Sequence, residues 1–204
     1  ANPGLLENDE LKKFNVILAN PPYSIKSWDR KTFESDPYGR NIWGTPPQGC
    51  ADYAFQQHIQ KSLDLKNGRS ISLWPHGILF RDAEADMRRK MIEQDQVECV
   101  IGLGPNLFYN SPMEACLLIT KTNKEKSKKG KILFINAVKE VKQESSMGYL
   151  EQKHIWMIFE CYKKYESQSK LSALVDIKEV ESKGWNMAIN LYVRPDSLED
   201  KEES

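Results

Sequence analysis

Several things are scarce in this sequence, and each scarcity excludes something. No stretch approaches the about 18 consecutive apolar residues of a membrane span. The opening Ala1-Asn2-Pro3-Gly4 has neither a basic segment nor a hydrophobic run, so no secretory signal is expected. Charge of one sign is missing: 29 Lys and Arg balance 29 Asp and Glu. A domain that grips duplex DNA unaided is usually basic, so nucleic-acid binding here is expected to be local or shared with a partner. Cysteine is sparse, and Cys50, Cys99, Cys116 and Cys161 form no metal-ligand spacing. His58, His76 and His154 form none either, so no metal site is expected. Cys99 and Cys116 sit in apolar runs and read as core thiols. What is present suffices for a core: hydrophobic residues make up 40% of the chain, with five Trp, eight Tyr and seven Phe. The composition fits a cytoplasmic, reduced α/β protein, one large domain or part of one.

Apolar runs rich in β-branched residues predict strands over Phe14–Ala19, Ser70–Trp74, Val97–Leu103, Ala115–Thr120 and Ile132–Ile135. Helices are predicted over Ala51–Leu65, stopped by Asn67-Gly68, over Asp82–Glu93 and over Glu151–Tyr165. Val175–Ile177 and Leu191–Val193 read as short terminal strands or extended segments. The segment from Ser24 to Cys50 has no periodicity yet carries Trp28, Phe33, Tyr38 and Trp43; it reads as a functional loop or a lid packed on its own protein. Lys121–Lys131 reads as a solvated hairpin, with phosphate contact as the alternative. Alternating strands and helices imply a mostly parallel sheet with both faces covered, and ligands then bind beyond the carboxyl ends of its strands. Residues 1–195 are expected to form the folded unit and Asp196–Ser204 a charged tail.

The sharpest signal is Asn20-Pro21-Pro22-Tyr23 at the end of the first strand. Prolines fix φ and remove backbone donors, so the turn is stiff and presents carbonyl oxygens without competing N–H groups. The Asn20 side chain and the Pro21 carbonyl can together accept both hydrogens of a planar NH2 group. Positive charge grows on that nitrogen as it attacks a methyl sulfonium, and acceptors placed there stabilise the transition state more than the ground state. Tyr23 can stack on the ring bearing the amine, a contact of about 1–3 kcal/mol. The plainer reading is a proline-stiffened turn that closes a strand.

The tetrapeptide resembles the catalytic motif of amino methyltransferases that use S-adenosylmethionine. Ala51–His58, Leu73–Arg81, Ile101–Asn110, Ile132–Asn136 and Trp185–Val193 extend the resemblance, in family order, to the modification subunit of type I restriction-modification systems. It implies a Rossmann-like fold and methylation of adenine N6 in DNA, on a base flipped out of the helix. It also implies two partners besides DNA, a specificity subunit and a restriction subunit. Under it Asn20, Pro21, Pro22 and Tyr23 are catalytic, Tyr23 also stacks on the adenine, and Phe108 packs against the base from the other side. Core packing is the alternative for Phe108, with Tyr109 a second candidate. Asp52 resembles an acid of the family pattern and, at a helix start, could equally serve the helix dipole. His76 either faces the cleft or bonds locally.

In that family a glycine-rich loop and a ribose-binding acid precede the tetrapeptide strand. Here only Gly4 occurs before Asn20. Asn2 stands where the family's cofactor acid would be, so the expected cofactor contacts are Asn2 and Asn20. Gly102-Leu103-Gly104 is followed by Pro105 and is no substitute. The resemblance therefore implies the C-terminal part of a catalytic domain, without the N-terminal part of its sheet and with the first strand left as an edge. A protein-glutamine N5 methyltransferase, which also methylates a planar amide, and a non-catalytic scaffold that binds a specificity subunit are the alternatives.

Overall fold

The structure, a computed structural model, describes residues 3–108, 112–144 and 147–193. Asn2, Tyr109 and the Asp196–Ser204 tail lie outside them. In chain order the elements are β1 (Leu6–Glu7), β2 (Glu10–Leu11), β3 (Val16–Ala19), α1 (Arg30–Glu34), α2 (Asp52–Lys61), β4 (Arg69–Pro75), α3 (Ala85–Glu93), β5 (Val97–Leu103), β6 (Ala115–Lys121), β7 (Lys131–Ala137), β8 (Lys142–Glu144), β9 (Met147–Tyr149), α4 (Gln152–Lys164), β10 (Ser172–Asp176) and α5 (Ile177–Ser182). Single 3-10 turns occupy His76–Leu79, Asp82–Glu84 and Ile189–Leu191. No helix among the described residues is long and apolar enough to cross a membrane.

Six strands form one sheet in the order β10-β7-β5-β6-β4-β3. β4 lies parallel to β3 and β7 parallel to β5, whereas β6 runs against both of its neighbours and β10 runs against β7. Four of the six strands thus share one direction, as the alternation of strands and helices implies. β5 is buried along its whole length, Glu98 included, as a mostly apolar strand in a sheet covered on both faces must be. On one face α2, α3 and α5 enclose Trp43, Tyr53, Trp74, Met87, Phe134 and Val180. On the other, α4 lays Ile158 and Cys161 over Ile101, Leu133 and Ile135. Each fully buried large apolar side chain contributes about 1.5–3 kcal/mol.

A polar seam joins α2 to the sheet. Buried Gln56 accepts from Ser72 Oγ at 2.9 Å and Trp74 Nε1 at 3.0 Å, and Gln60 accepts from Thr120 at 3.0 Å. These pairings satisfy donors that burial would otherwise penalise, and they fix α2, and so its first residue Asp52, over the strand ends. α2 stops at Lys61, earlier than predicted: Asp64 turns the chain by accepting from Lys66 N and Asn67 N. Gly68 is required there, since a Cβ would stand 2.4 Å from the Asp64 carbonyl. β3 is the edge of the sheet, with Val16 50% and Leu18 74% exposed.

Three expectations are corrected. Leu191–Val193 is not extended: Leu191 ends a 3-10 turn and Tyr192 stacks on Phe134 at 4.2 Å. Val175 and Asp176 belong to β10, but Ile177 opens α5, capped by the Asp176 side chain. Lys121–Lys131 is no hairpin, because β5 lies between β6 and β7. Nor is it all solvated: Lys124 is buried and donates to the Val97 and Lys131 carbonyls while pairing with Asp95.

Candidate active site

β3, β4 and β5 point the same way, so the segments that follow them gather at one edge of the sheet. The Asn20–Tyr23 turn leaves β3, the His76–Leu79 turn leaves β4, and the loop bearing Phe108 leaves β5. In the turn Asn20 is exposed and Tyr23 half-buried against the main core. The Tyr23 hydroxyl donates to Asn20 Oδ1 at 2.7 Å. Burial raises the Tyr23 phenol above its usual pKa, so it remains a donor at neutral pH. A carbonyl oxygen has two lone pairs; Tyr23 engages one and thereby orients the Asn20 amide with its oxygen toward the ring hydroxyl.

The next residue, Ser24, holds a positive φ of +48°. Its N–H donates to Asp52 Oδ1 at 2.7 Å. Asp52 is fully buried in the first turn of α2; its other oxygen pairs with Arg81 Nη2 at 2.5 Å. Arg81 also donates to Cys50 Sγ at 2.7 Å and places Nε 2.9 Å from Glu84 Oε2. Cys50, Asp52 and Glu84 bring three ligand-type atoms within 4.8 Å of one another. The Arg81 guanidinium contacts all three, so the cluster is filled by its own cation and is not a metal site. Burial pushes the Glu84 carboxyl up to about 7, against the pull of Arg81, and the Cys50 thiol up to about 12.

Other predicted residues find other places. Phe108 is half-buried in the loop at the same sheet edge. His76 bonds locally: Nε2 lies 2.9 Å from the Ala115 carbonyl and Nδ1 3.6 Å from Glu114, tying the exit of β4 to the entry of β6. The Ser24–Cys50 segment packs on its own protein. Trp43 is buried, its Nε1 bonded to Gln94 and its backbone N–H to Gln57, and Phe33 is buried edge-on to Trp28. Gly102 and Gly104 serve close packing, since a Cβ at either would fall 2.7 Å from Ile189 or 2.6 Å from the Val138 carbonyl. Sequence reasoning did not anticipate the links among Ser24, Asp52, Arg81 and Glu84. The signal that held them was that both Asp52 and Arg81 fall inside stretches carrying the family resemblance.

The family model described as "N-6 DNA Methylase" matches residues 4–201. The chain is 31% identical over 189 residues to the type I restriction enzyme MjaVIII methylase subunit of Methanocaldococcus jannaschii, covering 90% of this chain and 32% of that protein. It is 28% identical over 208 residues to the HindI methylase subunit of Haemophilus influenzae, covering 93% and 44%. Among solved structures, the type I restriction-modification methyltransferase subunit of Streptococcus thermophilus superposes with a TM-score of 0.82 at 32% identity, covering 89% of this chain and 38% of that one. The chain thus spans less than half the length of these relatives. With the tetrapeptide at the carboxyl end of a strand and a methyltransferase fold around it, the chain belongs to the N-6 DNA Methylase family, beside the methylase subunits of type I restriction enzymes.

Proposed function

We propose that this chain presents the target-amine site of a DNA adenine-N6 methyltransferase that works as the modification subunit of a type I restriction-modification system. The observation that carries the reading is the Asn20–Tyr23 turn, stiffened by two prolines and standing at the edge where the strand-end loops meet. Asn20 Oδ1 keeps one lone pair beyond the Tyr23 bond. That lone pair and the Pro21 carbonyl accept the two N–H groups of a flipped adenine. Tyr23 stacks on one side of the base and Phe108 closes the other. As the nitrogen gains positive charge, the two acceptors strengthen their hold, and this differential lowers the barrier. DNA affinity and sequence choice are assigned to a specificity subunit, with a restriction subunit as further partner, a division that suits a chain of zero net charge. The relatives' names, methylase subunits of type I restriction enzymes, support a multisubunit assembly, and the specificity and restriction subunits are those the family resemblance implies.

S-adenosylmethionine supplies the methyl group in this reading. The described residues show no cradle for its nucleoside portion: Gly102 and Gly104, at the end of β5, are closed by Ile189 and Val138. The test is Asn20→Ala in the full-length subunit assembled with its specificity partner. Loss of one transition-state acceptor is expected to slow methylation about 10²–10³-fold. A rate within about threefold of wild type, far short of that loss, would sink the assignment.

A further inference from the structure

The Asn20–Tyr23 turn ends on a backbone conformation that does not hold itself. Ser24 sits at φ +48°, a region that side chains other than glycine occupy only when surrounding contacts impose it. The contact here is a charged one. Asp52, wholly buried, offers Oδ1 to the Ser24 N–H at 2.7 Å and Oδ2 to Arg81 at 2.5 Å. Arg81 is in turn clamped on three sides: by Asp52, by Cys50 Sγ at 2.7 Å, and by the buried Glu84 at 2.9 Å. Glu84 is buried, and its carboxyl faces the same guanidinium. Gly77 leaves the space in which Arg81 lies, since a Cβ there would approach Nε to 3.1 Å. Arg88, itself buried, fixes the Arg81 carbonyl at 3.0 Å. The chain from β4 to α3 is thus braced to hold one cation, and that cation braces one carboxylate against the residue that follows Tyr23.

We propose that Asp52, held by Arg81 and Glu84, is a positioning residue for methyl transfer: it pins the backbone at Ser24 and so fixes where Tyr23 and the Asn20 acceptor stand. The proposal rests on the assignment of the Asn20 turn made above. Asp52 touches neither the base nor the donor. Its effect passes through a turn whose acceptors must meet the amine to within a fraction of an ångström, and displacement of reacting groups by about 1 Å can cost on the order of 100-fold in rate. Duplex affinity is assigned above to the specificity subunit, so KM for DNA is expected to change little.

The test uses the full-length methylase subunit with its specificity partner and a duplex carrying its recognition site. Asp52→Asn must give up either the Ser24 or the Arg81 contact, because one of its two acceptors becomes a donor. It is expected to lower kcat about 10- to 100-fold while KM for DNA stays within about threefold. Adding Ser24→Gly to that variant should recover at least about fivefold, because glycine adopts the positive φ without strain and no longer needs the anchor. A role confined to folding would not yield this recovery. Asp52→Asn with kcat within about threefold of wild type, or no recovery on adding Ser24→Gly, overturns the proposal. Should Asp52→Asn fail to fold, Arg81→Lys replaces it, since one ammonium nitrogen cannot stand where three guanidinium nitrogens meet Asp52, Cys50 and Glu84. The same kcat loss at constant KM is then expected, and a lowered melting temperature with unchanged kcat overturns the proposal. Asn20→Ala measured alongside separates the two readings. If it retains full activity, the assignment of the turn fails; if it is inactive while Asp52→Asn is active, only the present inference fails.

Discussion

Tyr23 has two jobs at the scale of a single side chain, and a pair of substitutions separates them. In the proposed site its ring stacks on the base, while its hydroxyl holds Asn20 Oδ1 at 2.7 Å. Tyr23→Phe keeps the ring and frees the Asn20 amide to rotate. Losing one such bond costs about 0.5–1.5 kcal/mol, so single-turnover methylation should slow about two- to tenfold. Tyr23→Ala removes the stacking as well, a further loss of about 1–3 kcal/mol. If the two variants are equally slow, the ring contributes no stacking and only the hydroxyl matters. The tetrapeptide itself was legible in the sequence, because its chemistry lies in four consecutive residues. The bond inside it was not, since nothing in the order Asn-Pro-Pro-Tyr says that the chain curls far enough for the fourth side chain to reach the first. The same limit hid the Ser24–Asp52 bond, which joins residues 28 positions apart.

Among elements, the short segment from Asp82 to α3 carries a buried acid whose titration the fold perturbs. Cys50, Asp52, Arg81 and Arg88 face the Glu84 carboxyl, and burial pushes it up to about 7 from a free value of 4.5. Between these values the folded chain keeps a proton that the unfolded chain has released. Stability therefore falls as pH rises through that window, and the contribution is complete only below it. Glu84→Gln should flatten this slope. Urea midpoints of wild type and variant at about pH 5 and pH 8 will check it, and parallel shifts in both proteins would argue against the assignment. A second prediction concerns the seam between α2 and β4. Gln56→Leu removes an acceptor shared by Ser72 and Trp74, which fall back on the Leu118 carbonyl at 3.3 Å and on Ser72 Oγ at 2.9 Å; it is expected to cost about 0.5–1.5 kcal/mol for each bond lost, read from the same denaturation curves. Strand positions were readable because Val97–Leu103 and Ala115–Thr120 are mostly apolar runs that call for burial. Their order was not. The insertion of β6 between β5 and β4 depends on side chains meeting across the sheet, such as Ser70 with Thr120 at 2.7 Å, which periodicity does not encode. Charge counting likewise misread Lys124, whose ammonium is enclosed by two backbone carbonyls and Asp95.

For the molecule as a whole, the decisive question is whether it holds the methyl donor. A donor pocket of this fold needs a glycine-rich loop at which backbone and ligand approach closely, together with an acid for the ribose. Among the described residues, the glycines on the strand-end edge are committed otherwise. Gly102 is pressed by Ile189 and Val138, Gly104 by the Val138 carbonyl and Val141, and Gly77 by Arg81. Asp52 and Glu84, the buried acids nearest the turn, are both engaged by Arg81. What remains is the Asn20–Tyr23 turn, which can meet the methyl-bearing end of S-adenosylmethionine but not its ribose or amino acid. Each missing hydrogen bond is worth about 0.5–1.5 kcal/mol net, or about 1.5–3 where a charged group is involved. Three or four of them amount to a few orders of magnitude in affinity. This 204-residue chain by itself is therefore expected neither to bind S-adenosylmethionine at micromolar concentration nor to methylate DNA. Isothermal titration of the purified chain is the direct measurement. A stoichiometric micromolar site would mean that the strand-end edge opens a donor pocket by moving Arg81 or the Phe108 loop, and the commitments of Gly77, Gly102 and Gly104 would then have to be re-examined one by one.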